Sequence, residues 1–371
     1  MVADRIVRVV GAGPSGLMAA EVLAMGGVRV TIIDHMAAPA RKFLLAGRGG
    51  LNLTHSEPLD LFLEHYGEAR SFLEPAIRAF APSALIDWCH GLGIETFVGS
   101  SGRVFPKCMK ASPLLRAWLR RLDGLGVTLM SRTAWQGFDG TPTILAMGGA
   151  SWPHLGSNAV WVPLVEQAGI TVNPFKPSNC RFLVPWTEHF SSRFAGEPVK
   201  NVRLSYRSHS ARGEIMISRD GIEGGAVYAL SRYLRDEPGA PLSIDLRPDL
   251  TQESVAAKLS SRSRKETFSN FQRKAFNLSP AAIGLMHETG ASDPKSLSLS
   301  LRGPAGLARA ISSAGGIARG EVDGHFQLRK VPGCYAVGEM LDWEAPTGGY
   351  LLQACFSTAV MAARDCLAQL A

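Results

Sequence analysis

No apolar stretch of this chain approaches the ~18 residues needed to cross a bilayer as a helix without meeting a glycine or a charge. Cysteine is sparse as well. Six thiols, at Cys89, Cys108, Cys180, Cys334, Cys355 and Cys366, stand apart with no CxxC pair and no ligand spacing, so no metal site is expected. Scattered thiols of this kind fit a reducing compartment, where they pack as small hydrophobes. The strand pattern begins almost at the first residue, leaving no room for a secretory leader, and a cytoplasmic protein is expected. There is no HExxH, no ordered Ser–His–Asp set, no internal repeat and no long low-complexity tract. What remains is ordinary globular material. At 371 residues, 46% hydrophobic and 19% charged, the chain can bury a large core and suggests two or three domains.

Against these absences, residues 6–34 stand out. A β-branched run over 6–10 meets Gly11-Ala12-Gly13-Pro14-Ser15-Gly16, an Ala/Leu/Met-rich helical pattern follows to Met25, and a second short strand over 28–33 closes on Asp34. Each part has a mechanical job. Gly11 permits the tight turn off the strand, Gly13 lets backbone N–H groups approach a pyrophosphate, and Gly16 lets the helix pack on the sheet. The helix N-terminus faces the anion. Asp34 falls 18 residues after Gly16, near where a carboxylate takes the hydroxyls of an adenosine ribose. Strand, turn, helix, second strand and terminal acid agree on dinucleotide binding. No second GxGxxG occurs, so a nicotinamide donor would bind transiently rather than in a Rossmann domain of its own.

The chain changes character twice. Residues 1–170 and 311–371 share one style, with strand-to-glycine transitions at 144–149 and 335–338 and an Ala-rich helical segment over 351–367. Within the first part, Ser112-Pro113 reads as a helix N-cap followed by proline at the first helical position. Residues 171–249 hold short β segments separated by turn residues, and 250–310 read as helices. The expected organisation is an α/β, Rossmann-like dinucleotide domain from 1–170 and 311–371, interrupted by a β-rich insert (171–249) carrying a small helical subdomain (250–310). Charge follows the same division. Between 171 and 320 there are 21 Lys/Arg against 13 Asp/Glu, a net of +8, whereas the remainder sums to −1. Segregation of this kind suits a surface that meets a polyanion, with a merely solvated basic face as the bland alternative.

Further glycine motifs sharpen the cofactor. The run into Gly148-Gly149 and the late strand into Gly338-Glu339 resemble, in that order, elements of two-dinucleotide-binding-type flavoproteins, which implies FAD. More specific segments extend the likeness: 41–55 (Arg41-Lys42 leading Gly47-Arg48-Gly49-Gly50-Leu51-Asn52-Leu53-Thr54), Gly102-Arg103-Val104-Phe105-Pro106, 146–153, 213–225, and Gly338-Glu339-Met340-Leu341-Asp342 with Gly348-Gly349-Tyr350. Together they resemble the BaiN/RdsA (YhiN-like) flavoproteins over nearly the whole chain. The departures mark a divergent branch. The family's Gly-Gly-Gly-Arg-Cys-Asn becomes Gly47-Arg48-Gly49-Gly50-Leu51-Asn52, with no thiol, and Leu351 stands where an Asn is usual.

The candidate cofactor contacts are therefore Gly11, Ala12, Gly13, Pro14, Ser15, Gly16, Asp34, Arg41, Lys42, Gly47, Gly49, Gly50, Asn52, Thr54, Gly148, Gly149, Gly338, Glu339, Gly348, Gly349 and Tyr350. Arg41 and Lys42 could neutralise phosphate. Asn52 and Thr54 could hydrogen-bond the ribityl chain or flavin edge. Glu339 could hold a ribityl or ribose hydroxyl, or else cap a helix or form a salt bridge. The helix after Gly348-Gly349 would favour the anionic edge of reduced flavin. No flavin-attachment motif is present, so FAD is expected to be held non-covalently. His154 and Tyr350 are the catalytic candidates, each with a structural alternative, and Arg103 is a candidate for an anionic substrate group. Arg262, Arg264 and Lys265 are candidate phosphate contacts in the insert. The expected activity is NAD(P)H-linked reduction of an activated C=C bond. The resemblance supplies uridine in ribosomal RNA as a substrate, and a small-molecule substrate remains otherwise. The competing class is an FAD-dependent oxidase of a small amine or amino acid using O2.

Overall fold

The β-branched run Ile6–Val10 becomes the central strand of a five-stranded sheet, with Val7, Val9 and Val10 buried and Arg8 half-buried. The sheet order is Cys334–Ala336, Thr143–Leu145, Ile6–Val10, Arg29–Asp34, Thr128–Ser131, and all four pairings are parallel. This computed structural model describes residues 5–47 and 49–371, so Arg48 of the glycine-rich stretch lies outside the described residues. Two compact units emerge, Met1–Lys176 with Ile311–Ala371, and Pro177–Ala310.

In the first unit the chain's two ends build one domain. Helix Pro14–Met25 begins with proline at its first turn, where a missing N–H costs nothing. It packs against the C-terminal helix Tyr350–Leu370, whose Leu367 side chain covers Gly26. A small antiparallel sheet, Thr54–His55, Arg103–Pro106 and Thr96–Val98, stands beside this core. The strand Val172–Ser178, where the chain leaves the unit, pairs with Ser312–Ile317, where it returns. That pairing carries the division from the expected 170/171 to 176/177.

The second unit is built on a six-stranded antiparallel sheet, ordered Leu297–Leu299, Leu242–Asp245, Pro198–Tyr206, His209–Ser218, Gly221–Glu223, Phe182–Leu183. Period-two alternation sends Val202, Leu204, Ile215 and Ile217 inward and leaves Arg203, Arg212 and Ser243 exposed. Residues 250–310 are not set apart as a helical subdomain. Leu297–Leu299 is an edge strand of the same sheet, and Val255, Phe271, Phe276 and Leu285 from the three helices share its hydrophobic core. Among the described residues no helix is long and apolar enough to cross a membrane.

Candidate active site

At the carboxyl end of the central strand, Gly11 adopts φ +101°, and a Cβ there would overlap the carbonyl of Ala146. A Cβ on Gly16 would overlap Gly11 O, so this glycine sets how closely helix and strand approach. Gly13 differs. It is the N-cap of Pro14–Met25, and its missing side chain faces open space. Asp34 is held between Ala12 N–H (2.7 Å) and Met36 N–H (2.7 Å), both donating to its carboxylate oxygens. Each oxygen keeps a lone pair for a ligand hydroxyl.

Gly11, Gly13 and Asp34, but not Gly16, line a cleft of about 1050 Å³, measured out to open solvent, with Pro14, Ser15, Arg41, Gly148, Ser157 and Glu339 among its walls. Two observations indicate a polar, phosphate-bearing occupant. Ser157 Oγ is buried with no partner, and the Arg41 guanidinium has no hydrogen-bond or ion-pair partner among the described residues. A 12-residue helix N-terminus, an unpaired cation and a preset carboxylate fit the diphosphate and ribose of a dinucleotide. Cys355 lines the cleft too, but burial pushes its thiol up to about 12, which makes it a poor nucleophile.

A second pocket of about 930 Å³, likewise open to solvent, is lined by Gly50, Leu51, Asn52, Arg103, Trp152, Ile311, Gly348, Gly349, Leu351 and Leu352. Lys42 lines both spaces. Its Nζ donates to Ser151 Oγ (2.6 Å) and to Glu339 Oε2 (2.7 Å), so it is an ion-paired junction residue and not a free phosphate clamp. Glu339 correspondingly takes the salt-bridge alternative. Arg103 projects from the small sheet into the pocket with no hydrogen-bond or ion-pair partner for its guanidinium among the described residues. Asn52 lines the same pocket and donates from Nδ2 to Thr54 O (2.8 Å) and Val104 O (3.2 Å). Gly349, at φ +100°, lets the C-terminal helix begin directly against Thr54, where any Cβ would overlap backbone.

Several expected contacts lie elsewhere. Tyr350 lines neither space. It is 5% exposed, its OH donates to Glu57 Oε1 (2.7 Å), and its ring packs on His65 at 4.1 Å and Phe62 at 4.8 Å. Burial and the neighbouring Glu57 hold its phenol protonated far above the usual range. The long side chain found better packing away from the pocket, so its catalytic assignment is withdrawn. His154 is withdrawn as well: it sits exposed on the turn Pro153–Leu155, its ring 5.4 Å from Trp152, outside both spaces. Gly47 packs against Ala111, Gly149 against Ser313, and Gly338 against Ser15, while Gly49 is exposed; none of the four lines a wall. Thr54 is buried behind Gly349 with its hydroxyl unpartnered. Ala12 contributes its N–H to Asp34 and does not itself line the cleft. Arg262, Arg264 and Lys265 are exposed in the second unit. Arg262 donates to Glu266 O (3.2 Å), and the side chains of the other two have no partner among the described residues. Ser157, Trp135 and Trp161 line the cleft without a sequence signal that would have marked them. Among the described residues no cluster of three or more His, Cys, Asp or Glu side chains could hold a metal ion.

A parallel-sheet domain with this glycine cleft and an inserted antiparallel unit has a Rossmann-like architecture. The family described as HI0933-like protein Rossmann domain matches residues 5–365, and the chain belongs to it. Among relatives, it is 26% identical to a ribosomal RNA dihydrouridine synthase of Escherichia coli, with 97% of each chain covered. It is 27% identical to a 3-dehydro-bile acid delta(4,6)-reductase of Clostridium scindens, over 96% of this chain and 98% of that one. A solved flavocytochrome c3 fumarate reductase in its open conformation shares the fold, with a TM-score of 0.54 at 13% identity over 99% of this chain and 79% of that one.

Proposed function

We propose that this protein is an FAD-dependent oxidoreductase that reduces an activated C=C bond at the expense of NAD(P)H, and that its substrate is uridine in ribosomal RNA. The observation that carries the reading is the second pocket: largely apolar, sharing Lys42 with the cofactor cleft, and presenting the unpaired Arg103. Apolar walls suit a planar ring, and a guanidinium suits the carbonyl oxygen that activates the double bond. When bound, FAD carries the hydride between donor and substrate. Overall, NAD(P)H gives a hydride, solvent gives a proton, and the C5–C6 bond of uridine becomes saturated. Gly13, Asp34, Arg41 and Ser157 would hold the cofactor, while Lys42 and Glu339 fix the charge where its cleft meets the pocket.

The activity of the Escherichia coli relative supports uridine, and the excess of +8 between 171 and 320 supports an RNA partner. Arg262, Arg264 and Lys265 are the side chains we assign to phosphate. The nicotinamide donor would visit transiently. Oxidation of an amine with O2 finds less support, since no carboxylate among the described residues lines the second pocket. Anaerobic mixing of the FAD-loaded protein with NAD(P)H tests the reading. Rapid bleaching of the flavin is expected; reduction only by amines, with peroxide released in air, would replace the reductase with an oxidase.

A further inference from the structure

Within the second pocket, two polar groups are left uncommitted in a way that defines a ligand edge. Asn52 Nδ2 donates to two carbonyls, Thr54 O at 2.8 Å and Val104 O at 3.2 Å. Only an NH2 group can satisfy two carbonyl oxygens, so these partners fix the orientation of the amide. Asn52 Oδ1 is then an acceptor with no donor among the described residues. The next residue, Leu53, donates its N–H to the same Val104 carbonyl at 2.9 Å, which ties this segment to the strand Arg103–Pro106. Arg103 opens that strand and presents an unpaired guanidinium to the pocket. The other cation, Lys42, is neutralised by Glu339. The pocket thus offers one acceptor and one charged donor, set on adjoining backbone, between the apolar side chains of Leu51, Trp152 and Leu352.

We infer that Asn52 and Arg103 read the imide edge of a uracil base. The N3–H of uracil donates to Asn52 Oδ1, and the C4 carbonyl beside it accepts from Arg103. The apolar side chains take the faces of the ring. Cytosine reverses both contacts: its N3 is an acceptor facing an acceptor, and its amino group is a donor facing a guanidinium. An isolated enone could use Arg103 but would leave Asn52 Oδ1 without a donor. A polar group left unpaired in a site that excludes water costs roughly tenfold or more in affinity. This inference rests on the uridine reading above and adds to it the residues that choose the base.

The test is equilibrium binding of three labelled RNA oligomers of equal length to the FAD-loaded protein: oligouridylate, oligocytidylate and oligo(N3-methyluridylate). Phosphate contacts are common to all three, so differences belong to the base edge. Oligouridylate is expected to bind about tenfold tighter than either of the others. Arg103→Met should remove most of the preference over oligocytidylate, whose amino group faces the guanidinium, and keep the preference over the N3-methyl oligomer, while FAD stays bound and the unfolding transition is unchanged. Comparison with the N3-methyl oligomer needs no variant and so is immune to folding defects. Equal binding of all three by the wild-type protein would overturn the inference. Reduction of the flavin by NAD(P)H, followed in the same samples, reports separately on the reductase reading, so the two can fail independently.

Discussion

At the residue scale, the three glycines of the first turn make separable predictions. A side chain at Gly13 meets only open space, so Gly13→Val should fold normally yet lose its yellow colour, because the valine occupies the room a diphosphate needs. Gly16→Val should fail at the folding step instead, since its Cβ would overlap Gly11 O. Absorbance of the purified variants beside their unfolding curves separates the two outcomes; a yellow Gly13→Val protein would contradict the cofactor assignment. Thiols give a second test. Burial raises Cys89, Cys355 and Cys366 to about 12 and Cys334 to about 11, whereas Cys108 is exposed. At pH 8 a thiol with a pKa near 12 is ionised in roughly one molecule in ten thousand, so Cys108 should be labelled first by a disulfide reagent and the raised group only on unfolding. The tight approaches at Gly11 and Gly16 were legible because each follows from local backbone geometry, whereas Gly47, Gly149 and Gly338 pack against side chains that the sequence did not reveal. Tyr350 and His154 were not legible, because the direction of a side chain beside a glycine pair is decided by distant partners. For Tyr350 those partners are Glu57, His65 and Phe62.

At the scale of elements, the C-terminal helix Tyr350–Leu370 holds the first unit closed. Phe356, fully buried, packs on Trp88 and Trp118, while Gln353 and Ser357 both donate to the Phe80 carbonyl, at 2.7 and 2.8 Å. Phe356→Ala should cost about 3–5 kcal/mol of stability, read as a lower denaturant midpoint with little change in slope. A loss within experimental error would mean that the helix is not part of the core. Three strands of the parallel sheet were readable from apolar runs leading into glycine and a fourth from the run closing on Asp34, whereas the exposed edge strand Thr128–Ser131 carried no such signal. Boundaries were less readable. Ser112-Pro113 reads as a cap, yet the helix spans Ala111–Gly124 with Lys110 as its N-cap. Proline is tolerated anywhere in the first turn, where N–H groups lack helical partners, so it marks the turn without fixing the residue. The helices of 250–310 looked separate because sequence spacing says nothing about the sheet they cover.

On the scale of the whole molecule, a dinucleotide domain made from both chain ends carries an inserted unit with its own core and most of the net positive charge. Resemblance along the full chain made the family readable, and the cleft followed from it. The pairing of Asn52 with Arg103 did not, since these residues are 51 positions apart and meet only through the small sheet. If the basic residues of the insert meet phosphate, RNA affinity should fall steeply with rising salt. Charge reversal at Arg264 and Lys265 should flatten that slope while FAD stays bound. The central claim is the reduction of uridine in ribosomal RNA. Its most direct measurement is the mass of RNA fragments from unmodified ribosomal RNA incubated with the FAD-loaded protein and NAD(P)H. The account predicts a gain of two hydrogens at a specific uridine, dependent on both the reductant and bound FAD. Fully turned-over NAD(P)H with no mass change in any fragment would contradict it.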